Sequence, residues 1–179
     1  DANTTGSQSI AIGSQALGAQ NGDVKNIAIG YRALQALTSG DGNVGMGRDV
    51  LYSLTTGGSN VAIGNDALGN NTTASNNTAV GKNALGANTT GQYNTAMGSL
   101  SLDANTTQSN NTAFGYTALG ANTTGSSNTA VGSYSLSTNT TGTYNSSLGG
   151  SALYANTTGS YNVAIGFKAL EDNTTASYN

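Results

Sequence analysis

Apolar and polar positions repeat along this chain with a fixed period of seventeen residues. The stretch NTAVGSYSLSTNTTGTY runs from Asn128 to Tyr144, and the pattern restarts at Asn145 and Asn162. Going back, it starts at Asn111, Asn94, Asn77, Asn60, Asn43 and Asn26. Another copy opens with Ser9 in place of the Asn, residues 1–8 read as the tail of a further one, and Asn179 opens one more. No copy carries an insertion or deletion. Such strict phase marks a tandem array in which each copy is one structural unit stacked on the next. Residues 1–179 are therefore expected to form a single repeat array, and one that is a segment of a longer protein.

Numbering each copy from its Asn, position five is always glycine: Gly13, Gly30, Gly47, Gly64, Gly81, Gly98, Gly115, Gly132, Gly149 and Gly166. Position nine is always leucine: Leu17, Leu34, Leu51, Leu68, Leu85, Leu102, Leu119, Leu136, Leu153 and Leu170. Position four is a larger apolar residue, from Ile12 through Met97 and Phe114 to Ile165, while positions three and eight are small, mostly Ala. Positions one to five, rich in Val, Ile and Thr, suit an extended strand. The glycine supplies a corner where a side chain would clash or φ must turn positive. A second short strand centred on the Ala-Leu pair is expected next, then Asn-Thr-Thr and a turn into the following copy.

The predicted fold is all-β, a parallel β-solenoid (β-roll) with one seventeen-residue copy per coil and about ten coils. At about 4.8 Å per coil the array makes a rod roughly 50 Å long. The leucine and the position-four residue are expected to face each other inside it. A helix over Tyr31 to Leu37 (YRALQAL) is rejected, because the equivalent runs SYSLSTN and KNALGAN are poor helix formers. Side chains alternate along a strand, so the small residue at position three faces away from position four. Either it avoids crowding in a thin coil, or a second chain packs against this small-residue wall.

Composition narrows the function classes. Only 7% of residues are charged and 36% are hydrophobic, too little bulk for a thick core. Such a polar composition would also permit disorder, but a disordered tract has no reason to return Leu every seventeenth residue. Net charge is −3 and the basic residues are scattered (Lys25, Arg32, Arg48, Lys82, Lys168), so there is no electrostatic footprint for nucleic acid. No apolar run approaches a membrane span. With no His and no Cys, and with acids at unrelated repeat positions, no base stands ready to activate a Ser or Thr, and neither enzymatic activity nor a cofactor is expected. For metals only Asp23 and Asp41 offer themselves, and both read as surface turns.

Three surface features carry candidate chemistry. The Asn-Thr-Thr segments are N-glycosylation sequons at Asn3, Asn71, Asn88, Asn105, Asn122, Asn139, Asn156 and Asn173. Leu37 and Leu54 hold the same position in two copies, which favours a half-buried Asn that bonds the backbone instead. If that Asn points in, Thr72, Thr89, Thr106, Thr123, Thr140, Thr157 and Thr174 form an exposed column of the sort that can bind ice. Tyr93, Tyr144, Tyr161 and Tyr178 share the last position, either to hold sugar rings on their faces or to stack and stabilise the turn.

The runs Ser9-Ile10-Ala11-Ile12-Gly13, Asn60-Val61-Ala62-Ile63-Gly64 and Asn162-Val163-Ala164-Ile165-Gly166 resemble the repeat signature of trimeric autotransporter adhesin heads, the YadA-like left-handed parallel β-roll. The wider NTAVG-x-x-AL-x-x-NTTG pattern also looks like repeat arrays of bacterial and phage tail-fibre-like proteins. The resemblance covers essentially the whole chain but departs in the length of the repeat. It implies a non-catalytic segment of an extracellular fibre, on a cell or virion surface. Its expected partners are other copies of itself, as a homotrimer or filament, together with a host-surface glycan or protein. An ice-binding solenoid and a glycan-coated structural filament are the alternatives.

Overall fold

The computed structural model describes residues 8–21 and 24–179. Ten three-residue strands recur once per copy: β1 (Ile10–Ile12), β2 (Ile27–Ile29), β3 (Val44–Met46), β4 (Val61–Ile63), β5 (Thr78–Val80), β6 (Thr95–Met97), β7 (Thr112–Phe114), β8 (Thr129–Val131), β9 (Ser146–Leu148) and β10 (Val163–Ile165). They form one sheet in chain order, every pairing parallel. The register advances by one copy, so Ile10 lies opposite Ile27 and Thr95 opposite Thr112. No helix occurs among the described residues. The chain is a parallel β-solenoid with one copy per coil.

Each strand ends at the position-five glycine, whose φ lies between 122° and 143° in all ten coils. Only glycine adopts that backbone without strain. Space makes the same demand: from Gly13 to Gly149, an added Cβ would come within 2.6 Å of the next coil's glycine backbone. The coils touch backbone to backbone at this corner.

The second strand expected around the Ala-Leu pair is absent; that segment is a turn. Each core leucine has φ between 49° and 54°, in the left-handed region. That conformation costs a non-glycine residue about 1–2 kcal/mol, and burying the whole leucine side chain returns about 1.5–3 kcal/mol. It also aims the leucine N–H at the neighbouring coil: Leu17 donates to the Ala33 carbonyl and Leu102 to the Ala118 carbonyl, at 3.0 and 3.1 Å. The turn therefore stacks by inter-coil hydrogen bonds much as a strand does.

The inside of the coil differs from expectation. Leucines 17 through 153 of position nine are fully buried, but the side chains that meet them are the small ones of positions three and eight. Position four points outward, with Ile12 58%, Phe114 39% and Ile165 71% exposed. The coil is too thin for two large side chains to oppose each other. Where Val50 replaces Ala at position eight, position three shrinks to Gly45, at which a Cβ would collide with Leu34 Cδ1. The small-residue wall is interior lining, and it offers nothing to a second chain. Where Ser enters this wall its hydroxyl is paired: Ser135 Oγ donates to Ser147 Oγ at 2.7 Å, and Ser147 Oγ to the Ala152 carbonyl at 2.9 Å.

Two columns of buried asparagine close the other end of the coil. At position one, each backbone N–H from Asn43 to Asn179 donates to Oδ1 of the previous coil's Asn, at 2.8–3.1 Å. Their Nδ2 groups, from Asn26 to Asn162, donate to the position-fifteen carbonyl at 2.8–3.0 Å. This ladder satisfies buried backbone groups that the short strands leave unpaired.

Candidate functional site

The outward side of the sheet is the largest regular surface. Positions two and four of each strand alternate outward around the residue between them, which is buried from β2 onward. The strip runs from Ile10 and Ile12 through Val61 and Ile63, Thr95 and Met97, Thr112 and Phe114, to Val163 and Ile165. It is apolar or threonine throughout, apart from Ser146. Ten strands at about 4.8 Å and two columns roughly 7 Å apart make a patch on the order of 500 Å². That falls among the largest patches of ordinary monomers, which are often functional.

The sequon asparagines are not available to a glycan in the folded chain. Asn71, Asn88, Asn105, Asn122, Asn139 and Asn156 are fully buried. Each Nδ2, including that of half-buried Asn173, donates to the carbonyl three residues on, at 2.8–3.1 Å. From Asn88 onward each also donates to Oδ1 of the preceding coil's Asn, at 2.9–3.4 Å. A glycan bond would have to pull Nδ2 out of the interior. Asn3 lies outside the described residues.

The threonine column is likewise altered. Thr72, Thr89, Thr140 and Thr157 are half-buried, and only Thr106, Thr123 and Thr174 are exposed. The hydroxyls of Thr72, Thr89, Thr123, Thr140 and Thr157 donate to the next coil's threonine carbonyl at 3.0–3.1 Å. The wholly exposed column is the following residue, from Thr73 to Thr175. On the sheet side, Thr78, Thr95, Thr112 and Thr129 form another outward column, aligned in register.

Tyr144, Tyr161 and Tyr178 stack face to face, with centroids 5.0 Å apart and planes within 11°. The faces between neighbouring rings cover one another, so the column cannot take sugar rings between its rings. Tyr93 stands alone, flanked in its column by Asn76 and Asn110.

Asp41 Oδ1 accepts the Lys25 backbone N–H at 2.7 Å, as a turn residue does; Asp23 lies outside the described residues. On the turn side Asp49, nearly buried, accepts from Arg32 Nε at 2.7 Å and from Arg48 Nε at 2.8 Å. The hydrogen bond from Arg32, with that from Arg48, holds its carboxyl below the ordinary value despite burial. Arg32 in turn lies over the Tyr52 and Tyr31 rings, at 4.7 and 5.0 Å from the centroids. Sequence reasoning passed over this cluster and the sheet face. The signal for the cluster was the like-placed Arg32 and Asp49, one copy apart at position seven.

Comparison with family profiles, with curated proteins and with solved structures finds no match for this chain.

Proposed function

We propose that this chain is a non-enzymatic structural and adhesive segment of an extracellular fibre, in which three copies pack their outer sheet faces around a common axis. The observation that carries the reading is the outer sheet strip, whose position-four column is apolar in every coil, with Ile63 and Phe114 each 39% exposed in mid-array. A strip on the order of 500 Å² falls short of the ~800 Å² per partner of a stable two-chain interface. Around a threefold axis each chain meets two neighbours, so the strip and both its flanks are used. Association at every coil adds weak contacts along the rod, and the joined rods gain stiffness and multivalency rather than a single pocket.

The test is the mass in solution, by sedimentation equilibrium. A species three times the 17.7 kDa chain at micromolar concentration supports the reading. The variant Ile63→Lys with Met97→Lys should then be monomeric with an unchanged circular dichroism spectrum, because an unpaired charge cannot be buried cheaply. A wild-type chain that stays monomeric throughout that range sinks the proposal.

A second reading rests on the outward column of Thr78, Thr95, Thr112 and Thr129, which could bind ice. The unlike neighbours Val80, Met97, Phe114 and Val131 roughen that face. Thermal hysteresis from a monomeric chain would favour this reading over the fibre.

A further inference from the structure

On the turn side, position ten bears a side chain in several coils: Tyr52, Asp103, Ser137, Tyr154 and Glu171. In two adjacent coils it is glycine, Gly69 and Gly86, and the gap between Tyr52 and Asp103 opens as a groove of about 530 Å³. We propose that this groove is a binding subsite for one neutral sugar ring, with Tyr52 as its apolar wall and Asp66, Asn70 and Asp103 as its hydroxyl partners.

Size, chemistry and charge agree on that occupant. Tyr52 and Asp103 stand three coils apart, roughly 14 Å along the rod, which leaves the width of a pyranose ring once their own side chains are counted. Tyr52 is held by Arg32, and Arg32 by Asp49, so the aromatic wall is fixed in advance. Arg32 comes from the coil before Tyr52 and Gly69 from the coil after, so the ring has one side turned to the groove. A few convergent polar groups beside one aromatic plane suit a ligand with a hydroxylated rim and an apolar face.

The polar groups are ones that want donors. Asp66 and Asp103 take part in no ion pair among the described residues, whose carboxylate partners are Asp49 and Glu171; Asp66 Oδ2 accepts the neighbouring Asn65 amide, which leaves its Oδ1 for a ligand. Asn83 Oδ1, at the groove wall, is out of solvent and has no hydrogen-bond partner. Both arginines of the groove point their Nε at Asp49, and over the whole lining two arginines (Arg32, Arg48) against three aspartates (Asp49, Asp66, Asp103) leave a net charge of −1. Sugar hydroxyls donate well to carboxylates, whereas uronates, sialic acid and phosphate are repelled. The groove is complete within one chain and none of its lining residues lies in a strand, so it stands whether or not chains associate.

The experiment is saturation-transfer NMR on the full chain with four probes: the methyl glycosides of glucose, galactose, mannose and N-acetylglucosamine. At least one should bind, with a Kd of about 1 mM as fits a small ligand in an open groove. Gly86→Tyr should abolish the signal by filling the groove; Tyr52 and Tyr154 show that position ten accepts tyrosine in other coils. Tyr52→Ala should weaken binding about tenfold, and it serves as the test should the first variant fail to fold. Ile63→Lys with Met97→Lys should bind sugar like the wild type, which separates this proposal from the fibre reading. Silence from all four probes overturns the proposal. So does binding that survives both groove variants, equal or tighter binding of galacturonate or phosphate, or competition by calcium chloride alone.

Discussion

On the sheet side every coil repeats one solution, a small residue inward and a larger apolar one outward at position four, whereas on the turn side positions six, seven and ten range from Gly to Tyr, Arg and Asp. Both sides are stacked by the same inter-coil backbone bonds: Thr112 N–H reaches the Asn128 carbonyl at 2.8 Å, and Leu119 N–H the Ser135 carbonyl at 3.0 Å. The difference lies in what the side chains must do. Strand side chains line either a thin interior or a continuous outer strip, and both need uniformity from coil to coil. Turn side chains at positions six, seven and ten take no part in the leucine core, so a local group such as Arg32, Asp49 and Tyr52 can arise without disturbing the stack. On the readings proposed above, uniform assembly belongs to one side and local recognition to the other.

That division can be broken first at the element both sides share. Leu102→Ala should cost about 2–5 kcal/mol, read as a lower denaturant midpoint, because the alanines around it cannot close the void. A loss under 1 kcal/mol would mean the coil collapses freely. The two asparagine columns sharpen the contrast at a smaller scale. Asn111→Leu strips the buried Asn128 N–H of its acceptor and should cost about 1–3 kcal/mol. Asn122→Leu should cost less, about 1 kcal/mol at most. Leu37 and Leu54 already occupy its position, and the Gly125 carbonyl keeps the Asn111 amide at 3.0 Å. Equal losses from the two substitutions would contradict the ladder assignment.

Smaller effects lie on the turn side and depend on pH. Asp49 has a lowered pKa, chiefly through the Arg32 hydrogen bond. Its contribution to stability is complete above the ordinary value of 3.8 and is lost as pH falls through the lowered one. Asp49→Asn should therefore destabilise at neutral pH, with the difference from wild type vanishing in acid. Asp103 is the reverse case, its pKa raised by desolvation. Asp103→Asn should stabilise slightly at neutral pH, and that gain should fade as pH falls through the raised value. Melting curves across the acid range check both signs. Smallest of all, Thr95→Val on the outer strip should move stability by no more than about 0.5 kcal/mol.

The coil period, the corner glycines' place and the leucine column could be read directly, because a solenoid returns each residue to the same environment once per turn. Gly98 and Leu102 needed no neighbour beyond their own recurrence to declare a constraint. What period alone left open was the direction of each side chain. A three-residue strand alternates equally well either way round, and larger apolar residues such as Ile63 and Met97 suggested the interior. Tertiary structure decided otherwise, on volume: with leucine on one wall, only alanine, serine or glycine fits opposite it. The asparagines were settled in the same fashion, since whether the Asn122 amide meets solvent or the Asn105 amide oxygen depends on where the preceding coil lies. Sequence dictated how often the backbone turns; the space between opposite walls of one coil dictated which side chains it keeps and which it shows.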